Sequence, residues 1–204
     1  MRVFLTATAV LFAMITRGNC LICEQCSNMN TKSCSGFFAP CPYEATHCVK
    51  GLENSTVGSN VRLFAYKGCV NPAKQATCGK EVIFRSSQMS LHITRECCDS
   101  DSCNSKNIKQ AALRSSQTPN GFKCSDCSTD QSSNGCASVT ELQCQGNENR
   151  CASFMGTASR PGDDVRRYTV LTCATKDACE VGISSMEGTH VYNFNLECSD
   201  PIIA

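Results

Sequence analysis

Two short runs, CEQC at 23–26 and CSDC at 124–127, set paired thiols two residues apart. That spacing suits zinc ligation or thiol–disulfide exchange. A third run, CCDSDSCN at 97–104, sets Cys97 beside Cys98 and puts Cys103 shortly after. His47 stands directly before Cys48, which puts a base next to a thiol. Each arrangement does chemistry only in the right frame. A redox C-x-x-C needs a βαβ context, and none surrounds either pair. Neighbours on a strand face opposite ways, so His47 is out of reach as a base for Cys48. The chain has 3 His in all. His92 and His190 read as ordinary, partly exposed strand residues, which leaves few general bases. There is no G-x-S-x-G, H-E-x-x-H or phosphate loop. The chain reads as a non-enzyme without cofactor or metal.

Cross-linking is the chemistry that remains. The 204 residues carry 19 Cys and no Trp, the composition of a disulfide scaffold rather than of one large apolar core. Arg2, the apolar run 3–15 and the polar exit TRGNC read as a secretory signal peptide over 1–20. The run is too short to span a bilayer. A cut after Cys20 removes one cysteine and leaves an even 18, and thiols pair in an oxidising compartment. The ending LECSDPIIA offers no hydrophobic tail for a lipid anchor. A secreted, extracellular protein with no membrane anchor is expected. The formal charge is +1, which argues against a nucleic-acid binder. Residues 21–110 carry ten Lys/Arg against seven Asp/Glu, and residues 121–204 carry six against eleven. The two halves can attract one another, or each can favour a different partner.

The elements that place these thiols repeat. Cysteines at 23, 26, 34, 41, 48, 69, 78 and 97 recur at 124, 127, 136, 144, 151, 173, 179 and 198, with offsets of 101 to 104. The chain is two copies of one module. The polar segment 105–121 between them ends in Pro119-Asn120-Gly121 and reads as a linker. Cysteine-poor stretches read as hairpins: 47–53 with 61–69 and 81–84 with 91–97, then 151–157 with 165–173 and 180–184 with 191–198. VYNFNL and LHITR alternate as half-buried strands do. Cys97 and Cys98 cannot pair with each other without distortion. Cys98 can close onto Cys103, and Cys97 must reach back.

The order C-x2-C-x7-C-x6-C-x6-C, two long hairpins and a closing CC-x4-CN resembles the three-finger domain of the lymphocyte-antigen and urokinase-receptor superfamily. The resemblance implies an all-β chain of two tandem disulfide-rich three-finger domains, at 21–104 and 122–204. It implies the pairs Cys23–Cys48, Cys26–Cys34, Cys41–Cys69, Cys78–Cys97 and Cys98–Cys103 in the first. It implies Cys124–Cys151, Cys127–Cys136, Cys144–Cys173 and Cys179–Cys198 in the second. Asn104 resembles the family's asparagine that bonds backbone in the domain base. The second module lacks CC-x4-CN, so its end is expected to fray more.

The two-module layout and TPNGFKC resemble gamma-type phospholipase A2 inhibitors. The leader, LICEQC and CCDSDSCN resemble sodefrin precursor-like factors, the courtship pheromones of amphibians. These resemblances imply a protein partner: a chemosensory receptor in the leading reading, a secreted phospholipase A2, blocked by an oligomer, in the alternative. Asn54-Ser55-Thr56 is a glycosylation sequon, expected at the tip of the first module's second finger. Loop tips on a rigid scaffold are the candidate recognition surfaces. Among them SRPGDD (159–164) offers Arg160, Asp163 and Asp164. The dibasic Arg166-Arg167 lies in an expected strand, which disfavours release of a peptide there.

Overall fold

The structure is a computed structural model that describes residues 20–57, 61–108, 117–130 and 135–204. Of the expected leader only Cys20 falls among them, as an exposed free thiol. The first module is built from β1 (Ile22–Met29), β2 (Phe37–Pro40), β3 (Cys48–Ser55), β4 (Arg62–Cys69), β5 (Glu81–Arg85) and β6 (Ser90–Cys98). The second contains β7 (Pro119–Thr129), β8 (Thr140–Gln145), β9 (Arg150–Ser159), β10 (Arg166–Ala174), the helix α1 (Lys176–Val181), β11 (His190–Ser199) and β12 (Ile202–Ile203). β7 starts at Pro119, so the end of the linker segment is already strand.

Nine disulfides tie the hairpins to two bases. They join Cys23–Cys48, Cys26–Cys34, Cys41–Cys69, Cys78–Cys97 and Cys98–Cys103, then Cys124–Cys151, Cys127–Cys136, Cys144–Cys173 and Cys179–Cys198. Sulfur is also the packing material there. One buried cluster is Cys23, Cys41 and Cys48, and its counterpart is Cys124, Cys144 and Cys173. Asn104, fully buried, locks the first base. Its Oδ1 accepts from the Glu24 N–H at 3.0 Å, and its Nδ2 donates to the Glu24 and Val49 carbonyls, each at 2.9 Å.

Nine strands form one antiparallel path, β11-β9-β10-β5-β6-β3-β4-β1-β2, and off it β7 pairs β10, β8 and β12. The modules meet where β10 pairs β5, Cys173 opposite Arg85 and Ala174 opposite Phe84. The largest apolar cluster sits at this seam. Val82, Leu91 and Ile93 come from the first module and Ala152, Ala174 and Ala178 from the second.

Three expectations are corrected. EVGIS is not a strand: α1 covers Lys176–Val181 and a 3-10 turn follows at Gly182–Ser185. Thr175 caps the helix, its Oγ1 accepting from Ala178 N–H at 3.2 Å, Asp177 sits in the first turn, and Gly182 ends it at φ 57°. LHITR is not half-buried. In β6 Leu91, His92, Ile93 and Arg95 are all buried: Leu91 and Ile93 pack against the second module, Arg95 bonds its Ser185 and Glu187, and His92, 8% exposed, lies beside Glu81. VYNFNL does not alternate in burial, because β11 is an edge strand with a register shift between Tyr192 and Asn195.

Candidate binding surface

The charge imbalance between the halves is spent on the seam. Every inter-module ion pair among the described residues takes its cation from the first module and its anion from the second. Arg85 grips Glu148 with Nε at 2.7 Å and Nη2 at 2.6 Å. Lys80 reaches Asp177 at 2.9 Å and Glu180 at 3.0 Å. Arg95 and Lys74 share Glu187, at 2.9 and 2.7 Å, and Arg62 meets Asp163 at 2.6 Å. Burial pushes the Asp177 carboxyl up, but Lys80 and the Glu81 N–H outweigh it and hold it low.

Behind these pairs lies a buried polar cluster. Arg95, 3% exposed, donates to Tyr66 Oη at 2.9 Å, Thr77 Oγ1 at 2.6 Å and the Ser185 carbonyl at 3.1 Å. Glu53, 2% exposed, accepts from the backbone N–H groups of Glu187 and Gly188. Burial pushes the Glu53 carboxyl up to about 7, against the pull of those two donors and Arg95. Such fully partnered charges specify one docking geometry between the modules.

The loop 159–164 faces inward more than its composition suggests. Arg160 is 6% exposed and its Nε donates to Asp163 Oδ2 at 2.7 Å. Asp163 also holds Arg62, so the loop fastens the two second-finger tips together. Asp164 remains exposed. Asn54 lies not at a tip but inside β3, opposite Leu63 on one side and His92 on the other. Its Oδ1 is buried without a hydrogen bond. His92 Nε2 is 3.3 Å from Glu81 Oε1, without hydrogen-bond geometry.

A surface that sequence reading misses lies on the outer face of β9, β10 and β11. Cross-strand partners share a face, and the register aligns Arg167 with Thr157 and Tyr192, and Thr169 with Met155 and Asn195. Tyr192 is 48% and Met155 43% exposed, and Arg167 Nη2 lies 3.6 Å from Met155 Sδ. Tyr, Met and Arg are the residue types that concentrate at protein interfaces. Their alternate spacing in β10 and β9 is the signal that could have found them.

The thiols of the opening motifs are spent. Cys23, Cys41 and Cys69 bring their sulfurs within 4.8 Å of one another, as do Cys124, Cys144 and Cys173. All six are in disulfides, so none offers the thiolate that zinc binds. Cys48 is bonded to Cys23 and cannot be a nucleophile beside His47. No helix among the described residues is long and apolar enough to cross a membrane.

The u-PAR/Ly-6 domain model matches at residues 19–106 and 120–201. Phospholipase A2 inhibitor CgMIP-I of Cerrophidion godmani is 26% identical, over 97% of this chain and 96% of its own length. A phospholipase A2 inhibitor gamma subunit of Gloydius brevicaudus siniticus is 27% identical, over 94% of this chain and 92% of its own. Ly6/PLAUR domain-containing protein 8 of Mus musculus is 26% identical over 61% of this chain and 48% of its own.

Proposed function

This chain belongs to the u-PAR/Ly-6 domain family, and from that premise we propose that it is an extracellular, non-enzymatic protein that inhibits a phospholipase A2 by binding it. The observation that carries this reading is the end-to-end match, both modules in order, to two proteins named phospholipase A2 inhibitors. The Arg167–Met155–Tyr192 face supplies the contact. It sits on a sheet held by disulfides and by the seam, so little conformational entropy is lost on binding. The test mixes the purified protein with a secreted phospholipase A2 and follows phospholipid hydrolysis. Stoichiometric loss of hydrolysis is expected, with Tyr192→Ala weaker by about tenfold or more, the size of an interface anchor. Undiminished hydrolysis at excess protein would refute the reading.

A second reading, a courtship pheromone for a chemosensory receptor, rests only on the resemblance of LICEQC and CCDSDSCN to sodefrin precursor-like factors, and the two relatives named above favour the inhibitor instead. Expression in a seasonal skin or cloacal gland, with a sensory-neuron response to the intact protein, would place it first. Expression in liver and plasma favours the inhibitor.

A further inference from the structure

Between the modules, beside the seam core, lies a cavity of about 80 Å³. Phe84, Met89 and Leu91 form its wall from the first module, and Phe154, Val170 and Met186 are among those from the second. Ser90, Tyr168, Thr172 and Thr189 also line it, but the surface they present to it is apolar, and its mouth is partly open to solvent. Native interiors hold few voids larger than a water molecule, and an all-apolar void does not stabilise water. An apolar recess open to solvent hydrates poorly, and a guest that covers it removes apolar surface from water. Gly156 has no side chain because Phe194 lies over it: an added Cβ would sit 2.6 Å from the Phe194 Cβ and 2.9 Å from the Phe154 ring. Phe194 thereby stacks on Phe154, centroids 6.4 Å apart, and backs that wall. Met89 and Met186 are the adaptable residues of the lining, able to move aside for a guest.

We propose that this cavity binds the end of a single aliphatic chain, with the polar group of the amphiphile left in water at its mouth. The size decides for a chain. An engineered apolar cavity of about 150 Å³ takes up a benzene ring, and this one is about half as large. The apolar lining offers a headgroup no partner, so any headgroup stays outside. Because both modules form the wall, the guest bridges them and stabilises the seam by mass action. The site is separate from the exposed face of β9–β11, since cross-strand neighbours on that face point away from it.

The test titrates the full chain with cis-parinaric acid, a fatty acid that fluoresces when its chain leaves water. A saturable rise at one probe per chain is expected. Val170→Phe fills the space that about two methylenes would occupy and should weaken binding about tenfold. Glu141→Gln, exposed on β8 and outside the cavity wall, should leave it unchanged. Should Val170→Phe not fold, the wild-type melting temperature decides, since dodecanoate should raise it with concentration. Dodecanoate and dodecanoyl lysophosphatidylcholine then compete with the probe. Displacement by both assigns the site to the chain itself, and displacement by dodecanoate alone assigns it to free fatty acids. Displacement by neither, no saturable fluorescence, or no melting shift would overturn the proposal.

Discussion

The third fingers of the two modules carry the same disulfide, Cys78–Cys97 and Cys179–Cys198, each with a sequence separation of 19. They nevertheless fold differently. In the first, β5 and β6 form a hairpin, and β6 is bonded on both sides, to β5 and to β3. In the second, α1 replaces the first strand, and among the described residues β11 pairs only β9. On the far side of that sheet, β7 of the same module pairs β10 at Thr169–Leu171, and β5 of the other module docks on its end at Cys173 and Ala174. A cysteine frame fixes where chain segments return, and it leaves open what lies between. The second module gives up a strand and completes its core with its neighbour's. The cost is an exposed edge, blunted by the bulge around Asn193, which has φ 45°.

Substitutions at the seam test this contrast. The largest effect belongs to Ile93, which is 0% exposed in β6 and packed in the shared cluster. Ile93→Ala should cost about 2–5 kcal/mol. Denaturant unfolding should show it in both modules at once, and loss confined to the first module would mean that the core is not shared.

Glu53 should give the next largest effect, through pH. Its folded pKa of about 7 lies above the ordinary 4.5. Its protonated form is therefore favoured in the fold, and stability falls as pH rises from about 4.5 to about 7, by on the order of 2–3 kcal/mol. His92 acts oppositely. Burial holds its pKa below 6.5 against the nearby Glu81, so it lowers stability as pH falls below 6.5. The stability difference between Glu53→Gln and wild type cancels the His92 part. That difference should shift in favour of Gln up to about pH 7 and stay level above it. A pH-independent difference would contradict the buried carboxyl.

Thr175 joins the helix to the borrowed strand. Its Oγ1 caps α1, accepts from Ile83 N–H at 3.2 Å and donates to the Glu81 carbonyl at 2.7 Å. Thr175→Ala should cost about 1–2 kcal/mol by thermal melting. The smallest effect concerns the two ends. The first module closes with Cys98–Cys103 and Asn104, the second with the two-residue β12 on β7 and an exposed Arg150–Asp200 pair at 3.3 Å. Removing residues 202–204 should cost less than about 1 kcal/mol, as expected for exposed surface contacts.

How much of this is legible in the sequence differs by kind of signal. Cysteine spacing announces the repeat and the three-finger class, because sulfur positions are tied to the base and tolerate little drift. β3, β4, β9 and β10 are legible from their apolar runs between turn residues. α1 is not, because EVGIS looks like its strand counterpart EVIFR. The deciding residues, Thr175, Asp177 and Gly182, lie around that stretch and act through caps. The seam joins residues about one module apart, and its one trace is the opposite charge of the halves. Local composition places Asn54 and SRPGDD at exposed tips, but it says nothing of a second strand or a second module packed against them. The Arg167–Met155–Tyr192 face exists only once the register of three strands is known.

Native-state hydrogen exchange of the third-finger strands bears most directly on the shared core. If β5 and β6 lie inside one cooperative unit with β9 and β10, amides of residues 91–96 should open only with global unfolding, at the same free energy as those of 168–173. Amides of the edge strand, 191–198, should open at a clearly lower free energy. Equal protection of the two third fingers, or separate opening energies for the two modules, would contradict it.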